Sequence, residues 1–119
     1  GGVTNAEALD EGDLRRTMPR FQGEAFQANL KLLEGFKALA KEAGCTPAQL
    51  CLAWLLQKDE IIVPIPGTTD PGHMAENARA AEVRLSAATM AAVEALVNPQ
   101  TVSGPRYSEA QQAATDTEG

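Results

Sequence analysis

Apolar residues return every three or four positions between Glu24 and Ala43, which is the spacing of one face of a helix. The members of this stripe are Phe26, Leu30, Leu32, Leu33, Phe36, Leu39 and Ala40. Gly44 follows directly, and glycine is the residue that most often ends a helix. The pattern therefore predicts a helix over residues 24–43 that buries one of its faces.

A second helix is indicated at Thr46, whose hydroxyl can cap it. Pro47 fits the first helical position, and Gln49 can return a hydrogen bond to the cap. Next comes the run LCLAWLL, which is apolar on nearly every side, so we expect this helix to be buried on several sides. Cys51 and Trp54 are expected among its buried side chains.

The strongest strand signal lies between Glu60 and Pro66. The unbroken apolar run there contains four β-branched residues, which is typical of a parallel strand covered on both faces, although Pro64 removes one backbone donor. A buried strand needs neighbouring strands to pair its backbone, and the only other candidate lies near the amino terminus. The order helix–strand–helix predicts an α/β fold, mostly helical with one parallel strand, at the end of a barrel or doubly wound sheet.

Two further helices are predicted at residues that cap helices well. Asp70 followed by Pro71 predicts a helix to about Ala81, and Ser86 predicts the last helix. The inward-facing residues are expected to be Met74, Ala78 and Ala81 in the first of these helices and Met90, Val93 and Val97 in the second.

Three parts of the chain are expected from these patterns. Residues 1–23 form a loop segment, residues 24–97 hold the helix–strand–helix part, and residues 98–119 form a mobile tail. The 119 residues give room for one domain and fall short of the roughly 250 residues of a complete eight-stranded α/β barrel. The chain begins with glycine and not with methionine, which indicates either processing or a piece of something longer.

Charge and cysteine spacing exclude several classes of partner. The net charge of −6 argues against a nucleic-acid binder and against an anionic membrane surface as partner. The sequence contains no signal segment and no run of 18 apolar residues. Cys45 and Cys51 match no zinc or redox spacing, and His73 is the one histidine. We therefore expect no metal site, no nucleic-acid or membrane partner, and a reducing cytoplasmic location.

The loop after the predicted strand is the candidate functional site. It turns at Gly67, offers the hydroxyls of Thr68 and Thr69, and enters a helix whose first N–H groups favour anions. His73 and Asn77 lie four residues apart and share one face of that helix. The capping aspartate would repel an anion, so a structural role stays open as well, with the glycine serving the turn and His73 facing solvent.

No catalytic constellation is evident in these residues. The sequence has no GxGxxG, P-loop, HExxH or GxSxG motif, and no serine or cysteine has an evident histidine partner. We therefore predict no catalytic residue in this chain.

Several stretches of the sequence together resemble the carboxyl-terminal part of the aldo-keto reductases. They are PRFQGE at 19–24 with Asn29 and Leu30, GCTPAQL at 44–50 with AWLL at 53–56, and VPIPGT at 63–68 with Glu76 and Asn77. The resemblance extends from about Leu14 to Tyr107. It implies that the chain is the carboxyl-terminal part of a TIM (β/α)8 barrel that reduces aldehydes and ketones with NADPH, with residues 61–65 as the final strand.

The resemblance also implies roles for single residues. Contacts to the adenosine 2′-phosphate would come from Gly67, Thr68, Thr69 and His73, and contacts to adenine from Glu76 and Asn77. His73 falls where many members carry an arginine, and Asp70 where relatives often carry a basic residue, so the choice between NADP and NAD stays open. The catalytic Asp, Tyr, Lys and His of the family belong to earlier strands, and none of those motifs is present here.

Two hypotheses follow from the sequence. In the first, the chain is part of an NADPH-dependent oxidoreductase that acts on aldehydes or ketones; it binds the adenosine end of the cofactor and is inactive alone. Its partners are then the remainder of the reductase barrel and, in the whole protein, a small carbonyl substrate. In the second, it is a small helical interaction module or a nucleotide-binding regulatory module without catalysis.

Overall fold

The computed structural model describes residues 2–115, and the elements found there are helices. The α-helices are α1 (Gly23–Glu42), α2 (Pro47–Lys58), α3 (Pro71–Arg79), α4 (Ala87–Leu96) and α5 (Glu109–Ala113). Short 3-10 turns lie at Ala6–Ala8, Leu14–Thr17, Pro19–Phe21 and Ala80–Glu82. Gly1 of the predicted loop segment and the last four residues of the predicted tail lie outside the described residues.

The chain forms two compact units. The central unit runs from Glu34 to Val97, and the terminal unit combines the residues up to Leu33 with those from Asn98 onward. Because α1 spans the boundary in sequence, it contributes residues to both units.

The predicted helix starts are confirmed by their caps. The hydroxyl of Thr46 accepts a hydrogen bond from the N–H of Gln49 at 3.2 Å, and the Gln49 amide oxygen accepts one from the Thr46 N–H at 3.1 Å. This is a complete capping box. The carboxylate of Asp70 caps α3, and the hydroxyl of Ser86 caps α4. Each of these bonds satisfies an N–H that the helix itself leaves without a partner.

The core of the central unit is built from α1, α2 and α4. Its buried members are Phe36, Ala40, Leu50 and Val93. Trp54 packs half-buried against this core, and its indole N–H donates to the backbone carbonyl of Met90 at 3.2 Å. Gly35 permits a close approach to α4, because a Cβ at that position would lie 3.1 Å from a methyl carbon of Leu96.

Cys51 is exposed, so the expectation that it is buried is wrong.

The expected parallel strand is absent, and residues 2–115 contain no other strand. Ile61, Val63 and Ile65 are 83%, 80% and 91% exposed, so the segment is not covered on both faces. A strand forms only where a neighbour completes its backbone hydrogen bonds, and Pro64 offers no N–H. The predicted fold class, an α/β part of a TIM (β/α)8 barrel with one parallel strand, is therefore wrong for this structure.

The burial of residues along α3 also differs from the prediction. Met74 is 62% exposed, and the other two expected inward residues, Ala78 and Ala81, are exposed as well. Glu76 is half-buried instead, and the turn after α3, which buries Ala80, packs against α2. A glutamate can occupy the inner face because α2 supplies hydrogen-bond partners for it.

Within the terminal unit, two side chains in or just before α1 form hydrogen bonds to a turn at Ser103 and Gly104. The amide of Asn29 donates to the carbonyl of Ser103 and accepts from the Ser103 N–H, both at 2.9 Å. Arg20, just before α1, donates through Nε to the carbonyl of Gly104 at 3.0 Å. Gly104 has a φ of +80°, which favours glycine at this turn.

Candidate functional site

The predicted site loop leads from the irregular segment after α2 into α3. Gly67, Thr68 and Thr69 are all exposed. The hydroxyl oxygen of Thr68 accepts a hydrogen bond from the N–H of Asp70 at 3.1 Å, which shapes the turn before the helix. Both threonine hydroxyls can therefore be reached from solvent, and one of them already takes part in the turn.

Asp70 controls the start of α3. Its Oδ1 accepts hydrogen bonds from the N–H groups of Gly72 at 2.6 Å and of His73 at 3.0 Å. The bond from the His73 N–H, followed by that from Gly72, lowers the pKa of the Asp70 carboxyl below its ordinary value. Two N–H groups that an anion would use are thus already occupied, and Pro71 has none. The threonine hydroxyls and the exposed imidazole of His73 remain available to an anion at this loop.

Glu76 is fixed from the side of α2. One carboxylate oxygen, Oε1, accepts the hydrogen bond of the Thr46 hydroxyl, and the backbone carbonyl of Glu76 accepts from Nε2 of Gln49 at 3.0 Å. The side chain and the backbone of one residue are thus held by two neighbours at the start of α2.

Asn77 lies on another side of α3, along an apolar groove of about 430 Å³. The apolar residues that line it are Leu52, Leu56, Ile62, Val63, Pro64, Pro66, Met74, Ala78 and Ala81. Asn77 is half-buried and is the polar residue in this lining. Its amide therefore offers a directional contact beside an otherwise apolar surface.

The six predicted site residues occupy three places in the central unit. Gly67, Thr68, Thr69 and His73 belong to the loop and the first turn of α3, Glu76 to the α2 side, and Asn77 to the groove. Consecutive helical residues point about 100° apart, which separates Glu76 from Asn77. Sequence reasoning missed Thr46 and Gln49 as residues that hold Glu76. Their capping motif is visible in the sequence, but its link to α3 is not.

Metal-binding clusters and membrane-spanning helices are absent from the part of the chain that the structure describes. No group of three or more His, Cys, Asp or Glu side chains there could hold a metal ion. No helix among residues 2–115 has the length and apolarity to cross a membrane. A cavity of about 930 Å³ lies within the terminal unit, where Phe21 and Phe26 are part of its lining.

Comparison with known proteins identifies the family. A sequence model of the Aldo/keto reductase family matches residues 1–98, a range that includes the site loop, α2 and α3. The NADP(+) aldo-keto reductase yakc of Schizosaccharomyces pombe is 39% identical to this chain over 107 residues, which are 90% of this chain and 32% of the relative. The chain thus spans about a third of the length of this curated relative. Because the family model matches most of its residues, the chain belongs to the Aldo/keto reductase family.

Proposed function

We propose that this chain carries the NADPH-binding part of an oxidoreductase that reduces aldehydes or ketones to alcohols by hydride transfer. Family membership supports this chemistry, and the relative from Schizosaccharomyces pombe has NADP(+) in its name. The observation that carries the proposal is the exposed, hydroxyl-bearing loop at residues 67–69 in front of α3. The cofactor supplies the hydride, and the protein supplies its position and a proton donor.

The phosphate end of this site is assigned to the loop. The hydroxyls of Thr68 and Thr69 can donate hydrogen bonds to the 2′-phosphate, and an N–H of the His73 ring can add another. Gly67 leaves room for the ribose, since no atom beyond its own and those of its two chain neighbours lies within 4 Å of the place of its absent Cβ. The nearby charge of Asp70 opposes the phosphate, so we expect modest affinity.

The adenine end is assigned to Glu76 and Asn77. A carboxylate can accept a hydrogen bond from the amino group of adenine, and an amide can both donate to the ring nitrogen and accept from the amino group. Apolar side chains of the groove beside Asn77 offer a surface for the base. The loop and α3 therefore contain groups that fit both the phosphate and the base of the cofactor.

The catalytic step is assigned to other parts of the reductase. No residue of this chain matches the family's catalytic tyrosine, aspartate, lysine or histidine motifs, so the remainder of the enzyme would supply the proton donor and the carbonyl pocket. We expect this chain to bind the cofactor and to show no reduction of aldehydes or ketones by itself.

Thermal unfolding followed by circular dichroism tests this proposal. A ligand that binds only the folded state stabilises it by mass action, by about 2.7 kcal/mol at a hundred times its Kd. We expect a cooperative transition that moves upward with NADPH. A transition temperature that stays the same at millimolar NADPH contradicts the proposal for this chain.

The whole protein that contains this chain tests the reaction. It should oxidise NADPH in the presence of aldehydes or ketones. NADPH binding without any such reduction would favour a nucleotide-binding regulatory module instead.

A further inference from the structure

We propose that Thr46 and Gln49 are positioning residues that hold Glu76 ready for the nucleotide without touching the nucleotide themselves. This inference rests on the proposed function and deepens it, because it names the residues behind one of the assigned contacts. It follows from the hydrogen bonds between the start of α2 and the middle of α3.

The Thr46 hydroxyl serves two partners at once. It accepts a hydrogen bond from the N–H of Gln49 as the cap of α2, and it donates its own proton to Oε1 of Glu76. A hydroxyl has one proton to donate, so this bond defines which carboxylate oxygen is engaged. Oε1 thus bonds to Thr46, while no hydrogen bond to the second oxygen, Oε2, is found among residues 2–115.

Gln49 also holds Glu76, through a hydrogen bond to its backbone. Its amide oxygen accepts from the N–H of Thr46 at 3.1 Å, and its Nε2 donates to the carbonyl of Glu76 at 3.0 Å. The capping box of α2 and the hold on α3 therefore use the same two side chains. The partial positive charge at the amino end of α2 also favours a carboxylate there.

Holding Glu76 in advance strengthens binding. A free glutamate side chain has several rotamers and loses that freedom when it contacts a ligand. If the side chain is already ordered, this cost is not part of the binding free energy. The second carboxylate oxygen is then presented to an amino group such as that of adenine.

Two substitutions separate the hydrogen bonds to Glu76 from the capping of α2. Thr46→Asp keeps a good helix cap but removes the donated proton and places a second carboxylate against Glu76. Gln49→Glu keeps the capping box and removes the donor to the Glu76 carbonyl. Thr46→Ser retains both functions of the hydroxyl. Thr89→Val, on α4, is a matched loss of a threonine hydroxyl in the same unit.

Isothermal titration calorimetry of the chain with NADPH and with 2′,5′-ADP measures the affinity for each ligand. We expect Thr46→Asp and Gln49→Glu to weaken binding of both ligands about threefold to tenfold. Thr46→Ser and Thr89→Val should stay within about twofold of the parent chain. In a Glu76→Ala background, Thr46→Asp should have no further effect, because its action passes through Glu76.

The outcomes distinguish the two proposals. If the parent chain binds and Thr46→Asp binds equally well, the positioning role is overturned and the proposed function stands. A loss of affinity that persists unchanged in the Glu76→Ala background also overturns the positioning role, because it would reflect the charge of the new aspartate and not Glu76. If the parent chain binds neither ligand, the proposed function fails and the positioning role fails with it.

Discussion

The first turn and the middle of α3 are held in different ways. The first turn depends on Asp70, which bonds to N–H groups two and three residues further along the same chain. The middle depends on Thr46 and Gln49, which reach Glu76 from another helix. The cap involves one helix only, whereas the bonds to Glu76 join two helices. We therefore name the loop and first turn, which we propose to bind the phosphate, the adaptable half, and Glu76, which we propose to bind adenine, the fixed half.

The largest effect on the free energy of unfolding is expected at Leu50, next to the residues of α2 that hold the fixed half. Leu50 follows Gln49 directly and is 0% exposed in the core of the central unit. Leu50→Ala should lower the free energy of unfolding by about 2–5 kcal/mol, because it removes buried apolar contacts and leaves a cavity. Urea denaturation followed by circular dichroism measures this loss. Leu56→Ala, at a position 39% exposed on the same helix, is the control and should cost clearly less; equal losses would contradict this anchoring.

The affinity of the adaptable half for NADPH should depend on the charge of Asp70. Asp70→Asn keeps a side-chain oxygen that can cap α3 and removes the negative charge near the proposed phosphate position. We expect binding of NADPH to become about twofold to fivefold tighter, since a like charge no longer opposes the phosphate. NADH, which lacks the 2′-phosphate, should change much less. Titration calorimetry with both cofactors checks this, and an equal gain for NADH would count against the phosphate assignment.

Acid should loosen the first turn of α3. The pKa of Asp70 is lowered in the folded chain by the N–H bonds of His73 and Gly72, so the unfolded chain binds more protons as the pH falls. The contribution of this cap is therefore present above the ordinary pKa of an aspartate and is lost as the pH falls through the lowered folded value. Nuclear magnetic resonance of the Gly72 and His73 amides from pH 6 to pH 2 should report this loss.

A matched control isolates that titration. Asp70→Asn should remove the acid transition from these two amides, because asparagine has no carboxyl group to protonate. If the transition persists in the variant, another group causes it and the assignment to Asp70 is wrong.

The smallest effect is expected from Gly72→Ala. A Cβ at this position would lie 2.9 Å from Oδ1 of Asp70, so the cap must shift slightly. Alanine also favours the helix over glycine by about 1 kcal/mol, which offsets the disturbance. We expect a change in the free energy of unfolding within about 1 kcal/mol. A much larger loss in urea denaturation would show that the cap is more rigid than a local hydrogen bond allows.

The sequence predicts the features that depend on near neighbours. Thr46, Asp70 and Ser86 were identifiable as caps because each bonds to a backbone group within three residues. The strand predicted at residues 60–66 depended on partner strands that residues 2–115 do not provide, so its apolar pattern alone was misleading.

The inner face of α3 was mispredicted for a related reason. Apolar periodicity favours burial of Met74, Ala78 and Ala81, yet these residues are exposed. Glu76 is half-buried instead, and its carboxylate accepts a hydrogen bond from Thr46, thirty residues earlier. A hydrogen bond between distant segments leaves no periodic signal in the sequence. The sequence thus indicates the loop as a candidate, but it does not indicate the residues that hold its neighbour Glu76.

The most direct test of this account is a titration of the ¹⁵N-labelled chain with NADPH, followed through the backbone amide resonances. We predict shifts at residues 67–73 and at Glu76 and Asn77, with little change around Phe21 and Phe26 beside the cavity of the terminal unit. An absence of shifts at millimolar NADPH, or shifts confined to that cavity, would contradict the assignment of the nucleotide site to the loop and α3.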